Sequence, residues 1–146
     1  MTITRVTEEY LPQAAAVYRE AWRESHRDLC TPEFLERRDC GAYLERQMAA
    51  GKRLYLLTGE EPVGVISVGD HEIGDLYVLP RAQGRGYGTV LLRFAMEQCG
   101  SARLTVLSSN TRALAWYERN GFVQTGQRRQ LRDGLWEVEL GFGELP

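Results

Sequence analysis

Residues 83–89 read Gln-Gly-Arg-Gly-Tyr-Gly-Thr: three glycines at alternate positions, between a β-rich run ending at Leu79-Pro80 and a helical apolar pattern opening at Tyr87. A chain that turns from strand to helix leaves its first helical N–H groups without acceptors and turns the positive end of the helix dipole outward. The chemistry of such a junction is anion binding, and a pyrophosphate suits it well. Gly84, Gly86 and Gly88 let the backbone approach a ligand, Gln83, Tyr87 and Thr89 stand between and beside them, and Arg85 adds a charge-assisted contact. Two known phosphate loops do not fit. A P-loop ends in Gly-Lys-Ser/Thr, whereas Gly88 is followed by Thr89 with no lysine. A dinucleotide fingerprint spaces its glycines Gly-x-Gly-x-x-Gly after an early strand of a parallel sheet, and the strands before this loop read as antiparallel.

The elements that must position the loop follow from the apolar period. Ile3 to Val6 is a short strand. From Glu9 the period is helical, with Leu11, Ala14, Ala15, Tyr18, Ala21 and Trp22 on one face. Thr31-Pro32-Glu33 is a helix start, opening a second helix that runs to Met48 with a break at Gly41; Gly51 ends it. The period then becomes two. Arg53–Thr58, Val63–Val68 and Glu72–Leu79 are strands, separated by turns at Gly59-Glu60-Glu61-Pro62 and Gly69-Asp70. Tyr87, Val90, Leu91, Phe94 and Ala95 trace a helix ending near Gly100. Arg103–Leu107 is a strand, Asn110 opens a helix that closes at Asn120-Gly121, and Phe122–Leu131 with Leu135–Leu140 forms a hairpin around Asp133-Gly134. The order β-α-α-β-β-β-α-β-α-β-β predicts a mixed α+β or α/β single domain over 1–146.

Composition narrows the function class. The chain has 146 residues, a formal net charge of -2 and a pI near 5.8. That balance carries no electrostatic footprint for nucleic acid, and the pairs Arg37-Arg38 and Arg128-Arg129 read as solvated surface. No apolar run reaches the ~20 residues that span a bilayer, so no membrane role is expected. Cys30, Cys40 and Cys99 are odd in number and lack Cys-x-x-Cys spacing, which suits free thiols in a reducing cytoplasm. His26 and His71 lie far apart, and no metal-ligand spacing exists.

A third loop pattern, Gln/Arg-x-x-Gly-x-Gly/Ala, is matched by Gln83, Gly86 and Gly88. It resembles the coenzyme A pyrophosphate loop of the GNAT superfamily of N-acetyltransferases. The strand before it, Glu72-Ile73-Gly74-Asp75-Leu76-Tyr77-Val78-Leu79-Pro80, looks like that family's central strand, where a bulge splays the sheet beside the pantetheine arm. The stretch Asn110 to Phe122 is similar to the family's Asn-x-x-Ala-x-x-x-Tyr-x-x-x-Gly-Phe segment. Together these cover Glu72 to Phe122. The resemblance implies a central, mostly antiparallel twisted sheet of six or seven strands with about four helices. It also implies acetyl-CoA as co-substrate, no metal, and direct transfer to a primary amine, on a small molecule or a peptide, in a ternary complex.

Transfer from a thioester to an amine needs a neutral amine, a stabilised oxyanion, a leaving thiolate that is protonated, and reactants held face to face. By resemblance, the Val78 N–H, at the bulge, polarises the carbonyl, with Tyr77 and Val78 along the cofactor arm; an ordinary paired strand N–H is the plainer alternative. Tyr117 protonates the departing sulfur or is a core tyrosine. Asn110 binds the pantetheine arm, or caps a helix, or both. The base is Glu72, Asp75 or water. Asp75 falls on the opposite face of a regular strand, so only one of the two carboxylates should face the cleft, and Glu72 is favoured. The acceptor pocket should lie by the first two helices, with Trp22, His26, Phe34, Tyr43 and Asp75 as candidate walls; Trp22 also continues the buried stripe. The strand Trp136–Leu140 suits either a homodimer edge or the sheet alone. A coenzyme A-binding module without turnover is the rival reading.

Overall fold

The structure, a computed structural model, describes residues 1–144. Seven strands form one sheet in the order β1-β2-β3-β4-β5-β7-β6. They are β1 (Thr2–Arg5), β2 (Arg53–Thr58), β3 (Pro62–Gly69), β4 (Glu72–Val78), β5 (Ala102–Leu107), β6 (Val123–Arg132) and β7 (Leu135–Phe142). Five helices accompany them: α1 (Leu11–His26), α2 (Pro32–Arg37), α3 (Cys40–Ala49), α4 (Tyr87–Cys99) and α5 (Thr111–Arg119). Every pairing is antiparallel except β4 with β5.

The expected second helix is two helices. Thr31 caps α2 by accepting the Phe34 N–H at 3.2 Å, and Asp39 caps α3 by accepting the Ala42 N–H at 2.9 Å. Arg38, between them, is extended at φ -65° and ψ 118°. A competent new cap at Asp39 therefore breaks the helix before Gly41, which lies inside α3 within reach of Ala15 on α1.

The core fills both faces of the central strands. On one face Val65 and Tyr77 meet α1, where the Tyr77 and Tyr18 rings stand edge to face at 5.0 Å. On the other, Gly64 lets α4 close in: a Cβ there would lie 2.8 Å from Leu91. Leu57, Ile66, Leu91 and Leu92 have no exposed surface. Burying each side chain of this size stabilises the fold by roughly 1.5–3 kcal/mol. β7 is not a dimer edge, because β5 and β6 flank it; the edge strands are β1 and β6, and β6 is exposed along its length.

Two irregularities in β4 shape everything at the site. Its pairing with β5 is confined to Glu72 opposite Arg103, beside the Arg103 N–H to His71 O bond at 3.0 Å. Beyond that point the sheet splits. The second irregularity is a bulge: between the pairs Ile66–Leu76 and Val68–Ile73, β3 spends one residue, Ser67, against two on β4, Gly74 and Asp75. Ser67 Oγ accepts the Asp75 N–H at 2.8 Å. Gly74 is required there, since a Cβ would fall 2.5 Å from Ser67 Oγ.

Candidate active site in the split sheet

The split opens a cavity of about 740 Å³ walled by β4, β5, the end of α1, α3 and α5. Tyr77, Asp75, Glu72, His26, Tyr43, Asn110 and Tyr117 border it. Trp22 and Phe34 do not. Trp22 is buried beneath His26, ring centroids 4.4 Å apart, and Phe34 is 52% exposed with its ring 6.2 Å from Trp22. Their places follow from the helices: Trp22 continues the buried stripe of α1, and the single-turn-and-a-half of α2 has no buried residue to carry Phe34 inward.

The Val78 donor is aimed at this gap by the phase of the ladder. Leu79 N–H bonds Val63 O at 2.8 Å, so the Leu79–Val63 pair exchanges hydrogen bonds, and so does Tyr77–Val65 two residues on. Val78, opposite Gly64, falls between them, and its N–H and C=O turn away from β3. The bulge expected at Val78 lies at Gly74–Asp75 instead, and the divergence of β4 from β5 is what leaves the Val78 N–H turned toward the split and not toward a paired strand. The same phase engages the Tyr77 backbone with β3 and leaves its ring on the cavity wall. Gln83 closes the end of the strand, its Nε2 donating to Val78 O at 3.1 Å.

The glycine loop follows directly, outside the cavity walls. Gly84 and Gly86 have φ of 79° and 86°, in the left-handed region that glycine alone adopts without strain. The first helical hydrogen bond of α4 runs from Val90 N–H to Gly86 O, so the N–H groups of Tyr87, Gly88 and Thr89 precede the ladder. Gly88 lies beside α5: a Cβ there would make ordinary contacts, 3.5 Å from Trp116 and 3.8 Å from Val78. Arg85 is exposed beside the loop. The Tyr87 ring turns back to the β2–β3 turn, its hydroxyl 2.9 Å from where a Gly59 Cβ would stand. This cradle of forward-facing N–H groups fits a pyrophosphate.

From α5 come two further groups. Tyr117 packs edge to face on Trp116 and Phe122 at 4.9 and 5.7 Å. Burial, with a smaller contribution from Tyr77, pushes its hydroxyl up to about 12, so it carries its proton throughout the neutral range. Asn110 caps α5, its Oδ1 accepting the Ala113 N–H at 3.1 Å, while the residue borders the cavity.

At the other end of the cavity both carboxylates of β4 face inward. The expectation that only one would do so assumed a regular strand, and the bulge shifts the alternation between them. Glu72 is ion-paired with Lys52, the only lysine in the sequence. Asp75 Oδ2 accepts the Tyr43 hydroxyl at 2.7 Å, and Oδ1 the Tyr18 hydroxyl at 3.5 Å. Burial, then Asp75, raises the Tyr18 hydroxyl; burial, then the hydrogen bond to Asp75, raises that of Tyr43. His26 Nδ1 lies 2.9 Å from both Ser25 Oγ and Trp22 O. Arg38 stacks over Trp22 and Tyr43 at 4.6 and 4.7 Å. Sequence reasoning missed Ser67, Lys52 and Glu139 here; Gly74 inside an apolar strand was the one signal of a bulge.

A family model described as "Acetyltransferase (GNAT) family" matches residues 11–122. Peptidyl-lysine N-acetyltransferase YjaB of Salmonella typhimurium (strain LT2) is 29% identical over 68 residues, 47% of this chain and 47% of that protein. The match thus spans about half the length of that curated relative. The crystal structure of PaiA N-acetyltransferase from Thermoplasma acidophilum in complex with coenzyme A aligns with a TM-score of 0.75 and 19% identity, over 99% of this chain and all of that one (100%). That of histone acetyltransferase HPA2 and related acetyltransferase from Corynebacterium glutamicum aligns at 0.76 and 20%, over 99% and 97%. These likenesses give the fold.

Proposed function

Since the chain belongs to the acetyltransferase (GNAT) family, we propose that it moves an acetyl group from acetyl-CoA to a primary amine, directly and in one ternary complex. One observation supports the reading: at Gly88 the start of α4 comes beside both Val78 and Trp116, where a Cβ would lie 3.8 and 3.5 Å away, and Tyr117, next to Trp116, borders the split between β4 and β5. Bound acetyl-CoA supplies an activated thioester. The N–H groups at Arg85 to Thr89 hold its pyrophosphate. The Val78 N–H stabilises negative charge as it develops on the carbonyl oxygen, fixed in place before reaction by the strand. Tyr117, protonated at neutral pH, gives its proton to the departing sulfur.

The acceptor enters from the Asp75 and Tyr43 end. Six residues of strand, roughly 20 Å, separate Glu72 from Val78, and Lys52 engages its carboxylate. The amine proton therefore leaves through water in the cavity, not directly to Glu72. The free thiols Cys30, Cys40 and Cys99 support a cytoplasmic location.

Thermal shift with acetyl-CoA, coenzyme A, ATP and NAD tests the reading. A ligand at about 100 times its Kd adds about 2.7 kcal/mol, which for a domain of this size raises Tm by roughly 5–10 °C. A selective rise with acetyl-CoA and coenzyme A is expected. A flat response to both, with ATP or NAD stabilising the protein, overturns it.

A further inference from the structure

Asp75 receives more structural support than a wall residue needs. An extra residue in β4 turns it into the cavity; Ser67 Oγ, on a residue only 2% exposed, holds its N–H; Gly74 makes room for that bond; and the Tyr43 hydroxyl fixes one of its oxygens at 2.7 Å, with the Tyr18 hydroxyl 3.5 Å from the other. Tyr18, Tyr43 and Ser67 are neutral, so they orient the carboxylate without cancelling its charge. Glu72 contrasts with it: Lys52 neutralises that carboxylate. None of the ion pairs among the described residues includes Asp75. Arg38 is taken up by the rings of Trp22 and Tyr43. Beyond β5, Glu139 on β7 borders the same cavity, and its carboxylate accepts the Thr125 hydroxyl at 2.8 Å, again a neutral donor.

Asp75 precedes Val78 by three residues, about 10 Å of strand. A carboxylate at that distance does not touch an amine reacting beside Val78. It does reach a second positive charge carried by the same acceptor on a chain of roughly four methylenes. We propose that the acceptor is a linear small-molecule diamine, and that Asp75 is the specificity-determining group that holds its distal ammonium, with Glu139 adding negative charge at the far wall of the same cavity. The inference rests on the transferase reading for the position of the reacting amine. It commits to a small diamine, because the carboxylates offered, Asp75 and Glu139, line a cavity and not an extended surface.

The test compares butane-1,4-diamine with butylamine, alike in length and differing in the distal charge. A charge-assisted contact predicts a kcat/KM ratio of at least about tenfold in favour of the diamine. Asp75→Asn keeps an oxygen for the tyrosine hydroxyls and removes the charge; the ratio should fall to near one. Should that variant not fold, Glu139→Gln reads the same ratio from the opposite wall and should lower it several-fold. A wild-type ratio near one, a ratio that survives both variants, or a lysine peptide preferred over both amines overturns the proposal. Calorimetric titration of both amines into the coenzyme A-saturated protein separates the two readings. Selective diamine binding without turnover sinks the transferase and keeps this site; turnover without diamine preference does the reverse.

Discussion

Replacing Gly74 by alanine should destabilise the protein through one contact. The added Cβ would stand 2.5 Å from Ser67 Oγ, a distance that real Cβ atoms do not keep. Ser67 cannot yield cheaply: it is 2% exposed, and its Oγ holds the Asp75 N–H at 2.8 Å. Rotating the hydroxyl away strands that N–H, at roughly 1–3 kcal/mol. Forcing an extra methyl into a packed site costs about 1–3 kcal/mol when the site shifts instead. These are alternatives in part, so the expected loss is about 2–4 kcal/mol. At roughly 2–4 °C per kcal/mol near this chain length, Tm falls by about 5–15 °C. A double-mutant cycle isolates the cause. Ser67→Ala removes the obstructing oxygen and by itself costs about 1–2 kcal/mol for the unpaired N–H. In that background Gly74→Ala should cost far less than alone, giving a coupling of at least about 1 kcal/mol. The assay is urea unfolding of the four proteins followed by tryptophan fluorescence. Additivity within about 0.5 kcal/mol would refute the reasoning, because Gly74 would then be required for some reason other than Ser67.

Tyr117→Phe should lower kcat by about a hundredfold while leaving coenzyme A affinity intact, measured by steady-state kinetics beside a binding titration; unchanged turnover removes the hydroxyl from the mechanism. Burial holds the Tyr117 and Tyr77 hydroxyls up at about 12, against about 10 in an unfolded chain. The neutral form is thus favoured in the fold, so this stability is fully present below pH 10 and lost as pH rises from 10 to 12. Urea midpoints across that window should fall, and fall less in Tyr117→Phe. Asn110→Ala should cost about 1 kcal/mol for the lost cap of α5, while Asn110→Asp keeps it. If Asp also retains coenzyme A affinity, capping is the whole role of the residue.

The fold was readable wherever a local signal decided it. Periods of 3.6 and 2 marked the helices and strands, and Thr31, Asn110 and Gly121 marked boundaries that the structure keeps as caps or a left-handed stop. The extra break at Arg38 was not legible, because Asp39 shows itself as a cap only through the Ala42 N–H. The glycine loop and its helix were legible because their function is built from consecutive residues. The acceptor end was not. Asp75 meets Tyr18 and Tyr43, 57 and 32 residues away, and no periodicity in one segment encodes such a meeting. The bulge is subtler still. One unpaired residue re-sorts the two faces of a strand, and Gly74 alone hinted at it.

That one residue also divides β4 between two tasks. From Leu76 onward the strand keeps an unbroken register with β3 and serves the donor end; Asp75 in the bulge and Glu72 before it line the acceptor end. Deleting a residue at the bulge would exchange the inward and outward sets on the acceptor half and leave the donor half in register. Insertion or deletion is thus a route by which such a chain can change what it accepts without relearning how it holds its donor. Chains of this architecture that differ at this point by a single residue in length would be expected to differ in acceptor even where their loops match.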